Sequence, residues 1–392
     1  MSCDANKVIL KPGREKALLN RHPWIFSGAI GFSPSFKNGE ILTVCSSNGE
    51  FLAKAYFHTE NSLCGRVLTF IDEPIEDVID QRIDEAIRLR EKMFDREQTN
   101  CFRLINAEGD ELPGLIVDLY DDLAVVQINT CGMDRLKSLI VKKLKAKLKL
   151  RGIYEKSHSG ARRQEGLPDT LETLDGECPK EMLVKENGVM FSVAIEQGQK
   201  TGFFLDQREM RQLICRLSKD KNVLNCFSYT GGFSLFALKG EAKFVTSIDS
   251  SAEACRYAIE NTLINHISMN RHEVVQADVF DYLQSPKLPF DVVILDPPAF
   301  AKKRQDVDAA CRGYKEINRR VLEKLPPSSY LLTCSCSHFI DEDLFQQLIF
   351  QAAIEAKRRA VICSRHIQAA DHPVSLFHPE GKYLKGLLLH VD

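Results

Sequence analysis

Cys334, Cys336 and His338 lie within five residues, directly after the apolar run Tyr330-Leu331-Leu332. Three chemistries suit such a trio: inert core thiols, a metal clip, or a nucleophile. C-x-C-x-H is not a standard zinc spacing, and no fourth ligand stands out. A buried cysteine most often acts as a small hydrophobe, and Cys334 is read that way. Cys336 shares strand parity with Cys334 but lies nearer the carboxyl end, so it is expected to project into a cleft. The stretch FDVVILDPPAF should place Asp296 in the same cleft, on the neighbouring strand. A thiolate added to carbon 6 of a pyrimidine turns carbon 5 into an enamine-like nucleophile that can take up a methyl group. Asp296 can protonate or hydrogen-bond ring N3 during the attack, and loss of the carbon-5 proton then expels the cysteine. Pro297 and Pro298 lock φ and remove donors, leaving carbonyls free to accept from an exocyclic amine. Taken alone, D-P-P-aromatic specifies only a planar, nitrogenous acceptor.

Upstream residues point to the methyl donor. The strand Asn222 to Phe227 runs into SYTGGFSLFAL, where Gly231 and Gly232 allow close backbone approach and positive φ. The next strand ends in Asp249, placed to bind two ribose hydroxyls, and Ser250 with Glu253 fits a capping box. A third strand ends in Asp278, placed to accept from an adenine amino group. Neither G-x-G-x-x-G nor a G-K-[ST] phosphate loop occurs, which disfavours dinucleotides and nucleoside triphosphates. An adenosyl group without phosphates, S-adenosylmethionine (SAM), fits this description. The competing view is a generic α/β domain whose strand-end acids merely cap helices. The stretch QGQKTGFFLDQR suits the methionine part of the donor. The candidate cofactor residues are therefore Lys200, Thr201, Gly202, Phe203, Asp206, Arg208, Asn225, Phe227, Tyr229, Gly231, Asp249, Ser250, Asp278 and Asp296.

Stepping outward, the elements that must position these groups read as three segments. Residues 1–74 carry strand and Asn-Gly hairpin signals, suggesting a small all-β module. Residues 75–190 open with a helical period through Val78, Ile79, Ile83, Ala86, Ile87 and Met93, followed by strands and a basic helix, MDRLKSLIVKKLKAKLKLRG. They read as a compact α+β domain. In residues 191–392, short apolar strands (VLNCF, FVTSI, EVVQA, FDVVILD, SYLLTCS) alternate with helix-length segments. That pattern belongs to a doubly wound α/β sheet with its ligand site at the carboxyl strand ends.

Bulk composition narrows the classes. Hydrophobic content of 44% with 27% charged residues is ordinary for a soluble globular chain, and no apolar run approaches a bilayer span. The N-terminus lacks a signal pattern, and thirteen scattered cysteines read as reduced thiols in a cytoplasm. The formal net charge of −2 gives no global support for nucleic-acid binding, so any such claim rests on local patches.

The stretches GQKTGFFLDQR, NCFSYTGGFS, DPPAF, ACRGYKEIN and TCSCS, in this order, resemble the bacterial 23S ribosomal RNA cytosine-5 methyltransferases of the RlmI type. KPGREKALLNRHPWIFSGAI resembles the opening of that family's RNA-binding PUA module, and EGDELPGLIVDLYDD with GIYEKS resembles its middle domain. The resemblance thus covers essentially the whole chain. It implies a PUA-like β-barrel, a small α+β domain and a class I SAM-dependent methyltransferase domain, with SAM as donor, cytosine as acceptor and Cys336 as nucleophile. Some relatives carry no thiol at the position of Cys334. DPPAF also lacks the cysteine that better-known RNA cytosine methyltransferases place beside this proline to expel product, so another base must complete the reaction.

RNA affinity comes largely from phosphate neutralisation. One candidate group is Lys142, Lys143, Lys145, Lys147, Lys149, Arg151, Arg162 and Arg163, of which the helical lysines are read as a solvated face. A second is Lys302, Lys303, Arg304, Arg312, Lys315, Arg319 and Arg320, favoured for RNA contact because it borders the pocket. Pro297, Pro298, Arg312 and Lys315 are the candidate substrate residues. His22, Trp24 and Phe26 are expected to build the first domain's core, with base stacking the alternative. The expected partner is large-subunit ribosomal RNA, with no DNA or membrane partner, a homodimer as a possible assembly and a cytoplasmic location. The competing functions are a ribosomal guanine methyltransferase and a non-catalytic RNA-binding assembly factor.

Overall fold

The computed structural model describes residues 6–301 and 303–392, which divide into two compact units. The first holds the N-terminal residues to Val184, with Val193–Leu205 and Ala370–Gly381. Its first sheet is built from β1 (Lys7–Leu10), β2 (Trp24–Phe26), β3 (Ile30–Phe32), β4 (Ile41–Cys45), β5 (Phe51–Phe57) and β6 (Leu63–Thr69), in the order β2-β6-β5-β4-β1-β3, with α1 (Lys16–Leu19) after β1. Alternation decides which side chains fill its core. On β2, Ile25 is 2% exposed and lies in the core, whereas Trp24 is only half-buried and Phe26 is exposed. This corrects the expectation that Trp24 and Phe26 build the core. A period of two puts both on the face opposite Ile25, where their rings meet edge to face at 6.4 Å.

α2 (Ile75–Met93) then leads into a five-stranded sheet. Its strands are β7 (Cys101–Asn106), β8 (Leu115–Tyr120), β9 (Leu123–Ile128), β10 (Gly152–Ser157) and β11 (Thr170–Gly176), in the order β11-β10-β9-β8-β7. The basic helix expected after β9 is two pieces, α3 (Cys131–Arg135) and α4 (Lys137–Lys147), and α5 (Gly160–Gln164) follows β10. The lysines of α4 are paired with acids: Lys143 with Asp80 at 3.1 Å, Lys147 with Asp84 at 2.6 Å, and Lys145 with Asp175 at 2.6 Å. Arg162 is 2% exposed, donating to the carbonyl of Ile128 and pairing with Asp134 at 3.2 Å. It is a structural cation, which corrects its reading as a phosphate contact.

β12 (Glu181–Glu186) and β13 (Val189–Ala194) form a hairpin whose tip belongs to the second unit. Asn187 and Gly188 join them with φ of 47° and 76°, the left-handed pair that a two-residue turn requires.

The second unit holds Lys185–Ser192, Asp206–Ala369 and Lys382–Asp392. In chain order it contains α6 (Arg208–Leu217), β14 (Asn222–Cys226), α7 (Gly232–Lys239), β15 (Phe244–Asp249), α8 (Ala252–Ile264), β16 (His272–Gln276), α9 (Val279–Tyr282), β17 (Val292–Leu295), α10 (Val307–Lys324), β18 (Ser329–Ser335), α11 (Glu342–Glu355), β19 (Ala360–His366) and β20 (Lys385–Val391). The sheet order is β16-β15-β14-β17-β18-β20-β19, with β14 to β18 mutually parallel and β20 antiparallel to both its neighbours. Order reverses beside β14, the switch point at which open α/β sheets bind ligands. The apolar runs of β14, β17 and β18 are buried because helices cover the sheet. Among the described residues no helix is long and apolar enough to cross a membrane.

Candidate active site

Register brings the acid and the thiols together. Leu295 is level with Thr333, so one residue further on Asp296 stands level with Cys334, on the same face of the sheet. Cys334 is fully buried against the sulfur of Met210, 3.8 Å away. Its thiol is pushed well above the ordinary range, first by burial and then by the negative charges of Asp296, Cys336 and Asp206. Each of these three residues is therefore near enough to Cys334 to act on its thiol. Cys336 itself lies one residue past the strand and is half-buried, so it retains solvent access.

Local contacts fix this corner. Gln207 donates from Nε2 to Asp296 Oδ2 at 2.7 Å. Asp206, 2% exposed, accepts from the Tyr383 hydroxyl. Ser337 accepts from Ala301 N–H at 3.2 Å through its hydroxyl, which also bonds the Tyr314 hydroxyl at 2.9 Å. Phe300, last residue of DPPAF, lies against Tyr314 of α10 with ring centroids 4.6 Å apart. Gly313, one turn from Phe300's ring, leaves it room: an added Cβ would lie 3.2 Å from Phe300 Cδ2. Pro297 is buried and Pro298 exposed at the start of the same loop.

The turn after β14 is tightly wound, with Phe227, Tyr229 and Gly231 at φ of 60°, 47° and 83°. Tyr229 N–H donates to Asp249 Oδ2 at 2.8 Å, and Ser251 N–H donates to Asp249 Oδ1 at 2.9 Å. That second bond moves the helix start by one residue. Ser251, not Ser250, caps α8 by accepting from Ala254 N–H, which corrects the expected Ser250–Glu253 capping box. Asp278 caps α9 with Oδ1, accepting from Phe280 and Asp281 N–H, while Oδ2 takes no hydrogen bond among the described residues. Asn225 donates to Ser234 Oγ at 2.9 Å. Its Oδ1, like Ser228 Oγ, is buried without a hydrogen-bond partner among the described residues. Two orphaned polar atoms at the switch point are what a bound polar ligand would satisfy.

Arg208 is buried and pairs with Glu186 at 3.2 Å, alongside a bidentate Arg211–Glu186 pair at 2.6 Å. Lys200, Thr201, Gly202 and Phe203 belong to the first unit. There Thr201 Oγ1 donates to Asp118 at 2.6 Å, Phe203 N–H donates to the Tyr120 hydroxyl at 3.1 Å, and Lys200 sits over the Phe204 ring.

Of the basic group beyond the prolines, Lys315 pairs with Glu355 at 2.8 Å, while Arg319 and Arg320 pair with Glu316. Lys303, Arg304 and Arg312 are exposed, and Lys302 lies outside the described residues. Among the described residues, the histidine, cysteine and acid set whose ligand atoms lie within 4.8 Å of one another is His58, Cys131 and Glu165, not the Cys334–Cys336–His338 trio. Glu165 there pairs with Arg66 at 2.7 Å, and burial pushes the Cys131 thiol up to about 11. Gln207, Tyr383 and Ser337 were not singled out from the sequence. Gln207 sits inside the quoted LDQR stretch, but nothing local marks the other two.

Known proteins share this layout. Residues 161–365 match the family described as S-adenosylmethionine-dependent methyltransferase, and residues 8–70 match a PUA-like domain. A protein of Aliivibrio fischeri named ribosomal RNA large subunit methyltransferase I is 43% identical over 98% of this chain and 99% of its own. The protein of that name from Pseudoalteromonas atlantica is 40% identical over 99% of this chain and 100% of its own. Among solved structures, a candidate methyltransferase complexed with SAH superposes with a TM-score of 0.85 at 24% identity, covering 98% of this chain and 100% of that one.

Proposed function

The chain belongs to the S-adenosylmethionine-dependent methyltransferases, and from that premise we propose that it forms 5-methylcytosine in large-subunit ribosomal RNA, in the cytoplasm, through a covalent adduct on Cys336. The substrate follows the name carried by its relatives, and the PUA-like match supports an RNA partner. One observation supports the chemistry most: a half-buried thiol one residue beyond β18 and two residues from Cys334, whose own thiol feels Asp296 and Asp206.

SAM, when bound, supplies a methyl group on a sulfonium, an electrophile that needs an electron-rich carbon opposite it. Asn225, Ser228, Asp249 and Asp278 are the residues we assign to its adenosyl part. The unsatisfied Asn225 Oδ1 and Ser228 Oγ and the spare Asp278 Oδ2 suit hydroxyl and amino donors. Cys336 then supplies the electron pair: its sulfur bonds to carbon 6 of the cytosine, and the ring's π electrons move to carbon 5. Asp296, which accepts from Gln207 through Oδ2, takes up a proton when the base binds and donates it toward ring N3 as negative charge develops there. Carbon 5 puts its electron pair into the new bond to the methyl group. A base, water in the simplest case, then takes the carbon-5 proton, the C–H electrons restore the double bond, and sulfur leaves with the sulfur–carbon pair. The target base must be unstacked to reach the thiol, and exposed Lys303, Arg304 and Arg312 suit the flanking phosphates.

The test is transfer of labelled methyl from SAM to ribosomal RNA taken from cells lacking this protein, with the product nucleoside identified by mass. Label in 5-methylcytosine is the expected result. Label in methylguanine identifies the guanine enzyme instead, and no transfer to any ribosomal fragment identifies a non-catalytic binder.

A further inference from the structure

Lys385 is a buried lysine that the reaction above does not use. It stands on β20 directly opposite Ser335, the last paired residue of β18, and is 5% exposed. Directly paired residues share a face and Ser335 bonds Tyr314, so the Lys385 stem starts on the side of Tyr314. Its Nζ donates to the carbonyl of Ser337 at 2.6 Å and to that of Tyr383 at 2.8 Å. The side chain thus spans the position of Cys336, starting level with the residue before it and ending on the residue after it. An ammonium carries three N–H donors, and the two carbonyls take two. We propose that Lys385 is the positioning residue of the Cys336 nucleophile: it pins the backbone on both sides of the cysteine and directs its remaining N–H and its charge at the sulfur, favouring the thiolate.

The groups around this pair make the charge matter. Asp296 and Asp206 act on the neighbouring Cys334 thiol from β17's end and from the turn before α6. The Tyr314 hydroxyl feels the Cys336 charge from α10, and Asp341, Glu342 and Lys382 act on Lys385 from the start of α11 and the approach to β20. Two carboxylates beside a thiol disfavour its ionisation, so a thiolate needs an opposing cation close by. Burial lowers Lys385 to about 8, and the Cys336 charge is the first influence pushing it back up. At neutral pH the lysine therefore remains mostly protonated. In the ionisation step the Cys336 S–H bond breaks, the proton goes to solvent, and the negative charge stays on sulfur opposite the ammonium. When product leaves, the sulfur regains that electron pair in the same place.

This inference rests on Cys336 as nucleophile, and its test needs no RNA. The rate of iodoacetamide alkylation at Cys336 is followed against pH in the full chain by peptide mass spectrometry. Wild type should show a midpoint below the ordinary thiol range. Lys385→Met should raise it by about one pH unit, a roughly tenfold slower alkylation at pH 7, whereas Lys385→Arg should keep it low. Should Lys385→Met fail to fold, Lys385→Gln takes its place, since its amide can still donate to both carbonyls without charge. A profile for the neutral variant that superimposes on wild type overturns the proposal, as does an equal rise in Lys385→Arg. Failure of the nucleophile itself is read elsewhere, as methyl transfer that survives Cys336→Ala.

Discussion

The polar network around Asp118 in the five-stranded sheet and the carboxyl end of the seven-stranded sheet treat their buried polar groups in opposite ways. In the five-stranded sheet, Asp118 is fully buried, yet Arg103 binds it through two nitrogens at 2.8 and 2.9 Å and Thr201 donates to it. The Tyr120 hydroxyl bonds the same threonine and accepts from Phe203 N–H, so the network is closed. At the carboxyl end of the seven-stranded sheet, Asn225 Oδ1, Ser228 Oγ and Thr333 Oγ1 are buried and unsatisfied among the described residues. A closed network rigidifies a scaffold, whereas open valences at a strand end are completed by what binds there. The Asp118 network should therefore matter for stability, and the open atoms at the end of the second sheet for ligand affinity.

The sharpest way to break that contrast is Arg103→Met. It strands the Asp118 carboxylate in the interior and should cost about 3 kcal/mol of stability, read by chemical denaturation. Methyl transfer per folded molecule should change by less than about twofold. Ser228→Ala should do the reverse. It removes an atom that has no hydrogen-bond partner among the described residues, so stability should stay within about 0.5 kcal/mol. SAM affinity, measured calorimetrically, should fall about fivefold, the loss of one hydrogen bond of roughly 1 kcal/mol. Equal stability losses in the two variants would abolish the distinction.

Cys334→Ala sharpens the same contrast inside one strand. Cys334 touches Met210 and fills space beside Gly386, so its loss should cost about 1 kcal/mol while methyl transfer persists. A further effect, confined to acid pH, is a tilt of stability with pH. His272 is buried between the hydroxyls of Ser247 and Thr262, each 2.7 Å away, and burial lowers it to about 4. The unfolded chain, with an ordinary histidine near 6.5, then binds more protons than the folded one between these values. Stability should therefore fall as pH drops from about 6.5 to about 4. His272→Gln should flatten that slope in thermal unfolding.

Much of this architecture was readable from residue patterns, for reasons specific to each element. The runs VLNCF, FVTSI and FDVVILD announce buried parallel strands because both their faces are apolar. AVICSRH and KGLLLHV, which become β19 and β20, follow no such alternation with helices, so the antiparallel end of the sheet went unforeseen. Asp249 and Asp296 stand out because each closes an apolar strand at the sheet end where open α/β sheets bind ligands. Arg162 misled because side-chain burial is a tertiary property: its neighbours Asp134 and Glu155 come from other elements. Gln207 and Tyr383 were invisible for the same reason, since each acts on an acid reached only through the fold. Ser250 was misplaced by one residue because the Asx turn at Asp249 uses the first free N–H.

The central claim is that sulfur of Cys336 bonds to the ring it helps to methylate. Ribosomal RNA carrying 5-fluorocytosine cannot lose a proton at carbon 5, so incubation with SAM and the full-length protein should leave protein and RNA joined. Digestion and mass spectrometry should find the methylated fluoropyrimidine on Cys336, and Cys336→Ala should yield neither the adduct nor product with ordinary RNA. Wild-type methyl transfer undiminished in Cys336→Ala, with no adduct formed, would contradict the account.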